Sequence, residues 1–289
     1  MTDLAFATLS AFLFGLCAGS FLNVCISRWP RELSVVRPRS RCPRCEHQLS
    51  WYENIPVASW LVLRARCRSC HLPIPVIYPL AEIGIGLVWA LSVRELGPTF
   101  TALRVAIFCT ILVGVAITDL VHYLIPDGYT ITGLAIALVT AFAAPFLGDS
   151  PLFAGPMDAI VGACAGAGFI AIVGWLGEAA LGREAMGMGD MTLMAFVGAV
   201  LGPPRALATV FVGAALGTVA FLAVVYPVTW LRRARRRTAA VAAPAPGADG
   251  DAPPSSDLPL VPFGVFLAPA ALLMLLWGDM LLRRLVPPL

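Results

Sequence analysis

The chain has 289 residues, 59% of them hydrophobic and only 13% charged, and its mean hydropathy is +0.84. Those values exclude an ordinary soluble domain and identify an integral membrane protein. The net charge of +3 comes without any interleaving of basic and aromatic residues, so nucleic acid is excluded as a partner.

A spanning helix needs roughly 20 mainly apolar residues. In chain order, qualifying windows fall at about 4–26, 79–96, 101–118, 128–147, 157–181, 205–231 and 259–282, and a shorter apolar run at about 191–202 follows Asp190. The predicted fold is therefore an all-α polytopic membrane protein of about eight transmembrane helices. Residues 1–26 form the first, which is kept in the mature protein because it lacks the basic start and small-residue cleavage pattern of a secretory signal. Residues 27–78 are a polar module, 79–231 the membrane core, 232–257 a linker and 258–289 the last helix with the C-terminus. The linker is rich in Ala, Pro, Gly and Asp and is expected to be disordered, with Arg232–Arg237 at its start resting on anionic lipid headgroups. No internal repeat is apparent.

All 20 Lys-or-Arg positions are Arg, and they orient the chain. Eight spans place fifteen on one side, including Arg28–Arg68, Arg183 and Arg232–Arg237, against five on the other. The positive-inside rule makes the richer side cytoplasmic and puts both termini outside.

The polar module is too small to rely on a hydrophobic core, so a staple is expected. Cys42-Pro-Arg-Cys45 and Cys67-Arg-Ser-Cys70 supply one: two CxxC turns can direct four thiolates at one tetrahedral ion, a closed structural zinc site. Two disulfides are the alternative, disfavoured in a reducing cytoplasm. His47 and His71 are read as bystanders, and Cys17, Cys25, Cys109 and Cys164 as small core residues.

Ionisable groups at the edges of spanning helices are functional candidates by default. Asp119 closes the third segment and Asp190 opens the sixth, both at the cytoplasmic side of the predicted topology. Two carboxylates sharing a site hold one proton between them, as an aspartic protease requires. Gly187 and Gly189, just before Asp190, would let an extended substrate backbone approach and would permit unusual dihedrals. The competing reading makes Asp190 a helix cap and Asp119 a boundary charge. Glu82, Glu184 and Asp127 are candidates for supporting groups, with Asp127 fitting a cap before the fourth segment.

Several motifs in order resemble the type IV prepilin peptidases, membrane aspartyl proteases with a GxGD signature. They are GSFLNVCISRWP at Gly19–Pro30, both CxxC pairs, WYENIPVASWLVLRARC at Trp51–Cys67, YPLAE at Tyr78–Glu82, DLVHYLIPD at Asp119–Asp127, GMGD at Gly187–Asp190, and PFGVFLA at Pro262–Ala268. The resemblance implies that Asp119 and Asp190 are the catalytic pair, cutting leaders from prepilins and type II secretion pseudopilins after a glycine. It implies N-methylation of the new terminus, with S-adenosylmethionine as donor and the cysteine module as the associated part. It also implies the bacterial inner membrane, the lipid bilayer as surroundings and a cytoplasmic active site. Thr192, Ala65 and Ile77 depart from the family's usual Lys, Gly and basic residue. A proton-coupled transporter and a zinc-anchored secretion scaffold are the competing functions. Oligomeric state is not legible in the sequence.

Overall fold

The computed structural model describes residues 3–148, 152–182, 186–227, 229 and 262–285. The linker at 232–257, Arg183 and Glu184 lie outside them. The described residues are helical apart from turns, with no strand among them: α1 (Asp3–Arg28), a short α2 (Ala58–Val62), α3 (Ile77–Leu96), α4 (Phe100–His122), α5 (Asp127–Leu147), α6 (Pro156–Leu181), α7 (Met188–Leu201), α8 (Pro203–Ala220) and α9 (Gly264–Leu285).

Local chemistry sets the boundaries. Thr99 caps α4 by accepting from the Ala102 amide, prolines open α6 and α8, and Gly148 and Gly182 end α5 and α6 in left-handed conformation. Past α8 the chain continues through a π-helical turn at Phe221–Val225.

Seven helices are long and apolar enough to cross a membrane. The remaining predicted segment, the sixth in chain order, is α7, whose 14 residues rise only about 21 Å, short of a bilayer's hydrocarbon core. Packing explains why it is tolerated: Leu193, Met194 and every residue from Phe196 to Leu201 are buried, so protein rather than lipid surrounds it. Beside it, α4 has 56% of its apolar window buried, against 22% for α1, α5, α6 and α8, which face outward.

Small residues bring the backbones together. A Cβ on Gly162 of α6 would stand 2.1 Å from the Gly198 carbonyl oxygen of α7, and one on Gly166 2.2 Å from that of Met194. On the other side, a Cβ on Gly19 of α1 would meet Glu82 Cα of α3 at 2.7 Å.

That α1–α3 pair carries the polar module. Asn23 Nδ2 donates to Tyr78 O (3.1 Å), and the Val57 amide donates to Glu82 Oε2 at 2.7 Å. Val57 has a positive φ of 59°, rare for a β-branched residue, and the carboxylate bond helps hold it there. Within the module, Ser50 and Glu53 form a reciprocal capping box and Trp60 Nε1 donates to Ile74 O at 3.1 Å.

Candidate functional site

The four module cysteines converge. All four sulfurs lie within 4.8 Å of one another, with Cys42–Cys70 and Cys45–Cys67 at 3.9 Å, and every cysteine is a free thiol, so the disulfide alternative is not the one adopted. Metal–sulfur bonds of about 2.3 Å place the sulfurs of a tetrahedron about 3.8 Å apart, so the cluster fits a four-thiolate ion.

The two CxxC turns share one hydrogen-bond pattern. Cys42 N donates to His47 O (2.9 Å) and Glu46 N to Cys42 O (3.0 Å). Likewise Cys67 N donates to Leu72 O (2.9 Å) and His71 N to Cys67 O (3.0 Å), with Glu46 and His71 both left-handed. A small internal repeat therefore exists where the sequence shows none beyond the cysteine spacing. Burial opposes ionisation of Cys42, but the Cys45 and Arg44 amides and neighbouring thiols outweigh it and lower its pKa to about 7. Cys70 goes the other way, to about 11: the Leu72 amide favours its thiolate, but burial and the three neighbouring thiols oppose it. Four crowded thiols cannot all ionise unless a cation balances them. His47 faces Glu53 instead, Nε2 to Oε2 at 3.3 Å, and His71 is not part of the cluster either.

The acids meet at one end of the bundle. Asp119, 5% exposed, stands in the last turn of α4, where its Oδ2 accepts from the Val265 amide at 3.1 Å in the first turn of α9. Asp190 occupies the first turn of α7 and lies within electrostatic reach of Asp119. Ile125 packs between the two sides. A Cβ on Gly264 would stand 2.8 Å from Ile125 Cδ1 and 2.9 Å from Asp119 Oδ2, and one on Gly189 2.9 Å from Ile125 Cβ.

Several expectations change in detail. The cap of α7 is Gly187 and Asp190 stands three residues further in, so Asp190 is not the N-cap residue. Neither Gly187 nor Gly189 has a left-handed backbone. Gly189 is required by its contact with Ile125, whereas a Cβ on Gly187 would find only Asp190 Oδ2, at 3.9 Å. Pro126 is the cap of α5, and Asp127 is its exposed first residue. Glu82 serves the cysteine module through Val57. Glu184 is outside the described residues. Thr192 Oγ1 donates to the Gly189 carbonyl at 3.1 Å, placing a neutral hydroxyl beside the Asp190 turn. Sequence reasoning missed Gly264, Val265 and Ile125 as parts of the site, although PFG and IPD, which contain or adjoin them, stand out as motifs.

Fold and site together define a polytopic helical membrane protein with two interacting carboxylates at one bundle end and a four-cysteine module on its first helix pair. Two family models match the chain: the Bacterial Peptidase A24 N-terminal domain over residues 13–96 and the Type IV leader peptidase family over residues 106–222. A prepilin leader peptidase/N-methyltransferase of Stutzerimonas stutzeri is 32% identical over 294 residues, 94% of this chain and 91% of the relative, and one of Aeromonas hydrophila is 32% identical with the same coverage. One from Myxococcus xanthus (strain DK1622) is 44% identical over 190 residues, 66% of this chain but only 55% of that relative's length. No solved structure was found to match. The chain belongs to the type IV leader peptidase family.

Proposed function

We propose that the protein is a membrane aspartyl endopeptidase that removes the leader from prepilins and pseudopilins after a glycine, at the cytoplasmic face of the bacterial inner membrane. The observation that carries the reading is the meeting of Asp119 and Asp190 at terminal turns of their helices, where water can reach a scissile bond. Proton relays of transporters favour the membrane midplane, which these turns avoid. One carboxylate of the pair, ionised, takes a proton from the attacking water, and the other, neutral, donates a hydrogen bond to the carbonyl. The water oxygen bonds to the carbonyl carbon, the peptide C–N bond breaks, and the amine leaves with a proton from the pair.

The same protein then N-methylates the exposed amine. S-adenosylmethionine, as co-substrate, gives its methyl group to the nitrogen, which loses a proton as S-adenosylhomocysteine departs. Cys42, Cys45, Cys67 and Cys70 hold zinc, which supplies no chemistry to either step and folds the module.

Cleavage of a synthetic prepilin by purified protein in detergent tests this, comparing wild type, Asp119→Asn and Asp190→Asn and reading the product's N-terminal mass. Wild type should cut after glycine and both variants should stop, with melting temperatures unchanged. Normal cutting by either variant would overturn the two-carboxylate mechanism.

A further inference from the structure

The root of the polar module is fastened to the acid site by one tryptophan. Along α1 and the turn that follows it, Leu22, Cys25, Ile26 and Trp29 recur at three- and four-residue spacing, one apolar stripe packed into the core. The stripe reaches α4 at Gly114, where a Cβ would stand 2.7 Å from Leu22 Cδ1 and 2.5 Å from Tyr129 Cε1. Trp29 opens the turn Trp29–Arg31 and meets Tyr129 edge to face, their ring centroids 4.3 Å apart at 89°. The same indole fills the space over Gly128, where a Cβ would be 2.5 Å from its Cε2. Its backbone is pinned in turn: Glu32 N donates to Trp29 O (3.0 Å), Leu33 N to Arg28 O (3.1 Å) and Arg28 Nη1 to Ser34 O (2.9 Å).

Gly128 and Tyr129 lie at one end of the connection 123–129 between α4 and α5, and Ile125 lies near the other. Ile125 is the residue that packs against Gly189 and Gly264, beside the two acids. Tyr129, 2% exposed, accepts through its hydroxyl from Thr118 Oγ1 at 3.4 Å, and Thr118 directly precedes Asp119. One short segment therefore touches α1 through Trp29, α4 through Tyr129, and α7 and α9 through Ile125. At Gly128 the indole bears on backbone, with no side chain between to absorb a shift, and a close-packed interior passes such a displacement on. We propose that Trp29 is a positioning residue for leader cleavage, which through Gly128 and Tyr129 fixes where Ile125 stands between the turns of Asp119 and Asp190. The inference rests on the cleavage reading above and extends it: a residue of the module associated with methylation has a share in the geometry of the protease.

Full-length wild type, Trp29→Ala, Trp29→Phe, Gly128→Ala and Trp51→Ala, compared in detergent for cleavage of a synthetic prepilin and for amide deuterium exchange, test it. Trp51 is the control, a module residue that is 73% exposed and packs on Tyr52. Trp29→Ala should lower kcat by about ten-fold or more, toward the roughly hundred-fold that a misplacement of about 1 Å costs, with KM unchanged. It should also speed exchange at 123–129. Trp29→Phe keeps a ring against Gly128 and should recover most of the rate, Gly128→Ala should lower kcat by displacing the indole from the opposite side, and Trp51→Ala should match wild type in both readouts. A smaller loss of kcat in both Trp29→Ala and Gly128→Ala, no recovery by Trp29→Phe, or unchanged exchange at 123–129 would each overturn the assignment. Wild type that cuts nothing would instead overturn the cleavage reading, with exchange still deciding whether Trp29 holds the connection.

Discussion

Replacing Gly198 by alanine tests how the helix crossing positions the site. The new Cβ would stand 2.0 Å from the Gly162 carbonyl oxygen and 2.6 Å from its carbonyl carbon, whereas real Cβ contacts are essentially never under 3.0 Å. Those atoms are backbone and cannot rotate away, so α6 and α7 must part by about 1 Å. Overpacking of this kind costs about 1–3 kcal/mol, and a crossing where neither partner can yield belongs at the upper end. The displaced helix carries Asp190 in its first turn, and a misplacement of about 1 Å in a reacting group is worth roughly a hundred-fold in rate. The assay pairs thermal unfolding in detergent with prepilin cleavage, using Gly168→Ala as control, because that glycine lies on α6, the partner helix of the crossing, and a Cβ there meets nothing within 4 Å. A Gly198→Ala protein as stable and as active as the control would refute the argument that this crossing sets the position of Asp190.

Gly264→Ala pushes a methyl group to 2.9 Å from Asp119 Oδ2 and disturbs the Val265 bond, so kcat for leader cleavage should fall by about ten-fold or more, the scale of a charge-assisted hydrogen bond, with little change in melting temperature. One zinc per chain is expected by elemental analysis, and Cys42→Ser or a strong chelator should release it and expose the module to proteolysis while α4 and α7 stay folded. The Ser50 amide, aided by His47, holds the buried Glu53 carboxyl below its ordinary range, so its stabilising effect is present above the unfolded carboxylate pKa and is lost as pH falls through the lower folded value. Acid titration of the module, followed by tryptophan fluorescence from Trp51 and Trp60, should show that loss, and Glu53→Gln should remove it.

Much of the architecture was legible because hydropathy and turn chemistry act locally. Apolar runs of spanning length located the seven long helices, and the CxxC spacing located the two turns whose four thiols cluster. The long linker and Glu184 fall outside what the structure describes. The role of α7 was less legible: a short apolar run reads alike whether lipid or protein surrounds it, and only its neighbours show that it is a core helix.

The sequence by itself determined which residues carry charge, where the chain can cross a membrane and which thiols share a turn, since these depend on neighbours a few positions away. Tertiary structure alone decided that Asp119 meets the Val265 amide, 146 residues distant, and that Gly189, Ile125 and Gly264 pack as one unit around the acids. It also decided that Glu82 serves the cysteine module and that Trp29 packs on Gly128 and Tyr129. Such contacts arise from how antiparallel helices align their ends, a geometry set by close packing of glycine-lined faces that no local pattern encodes.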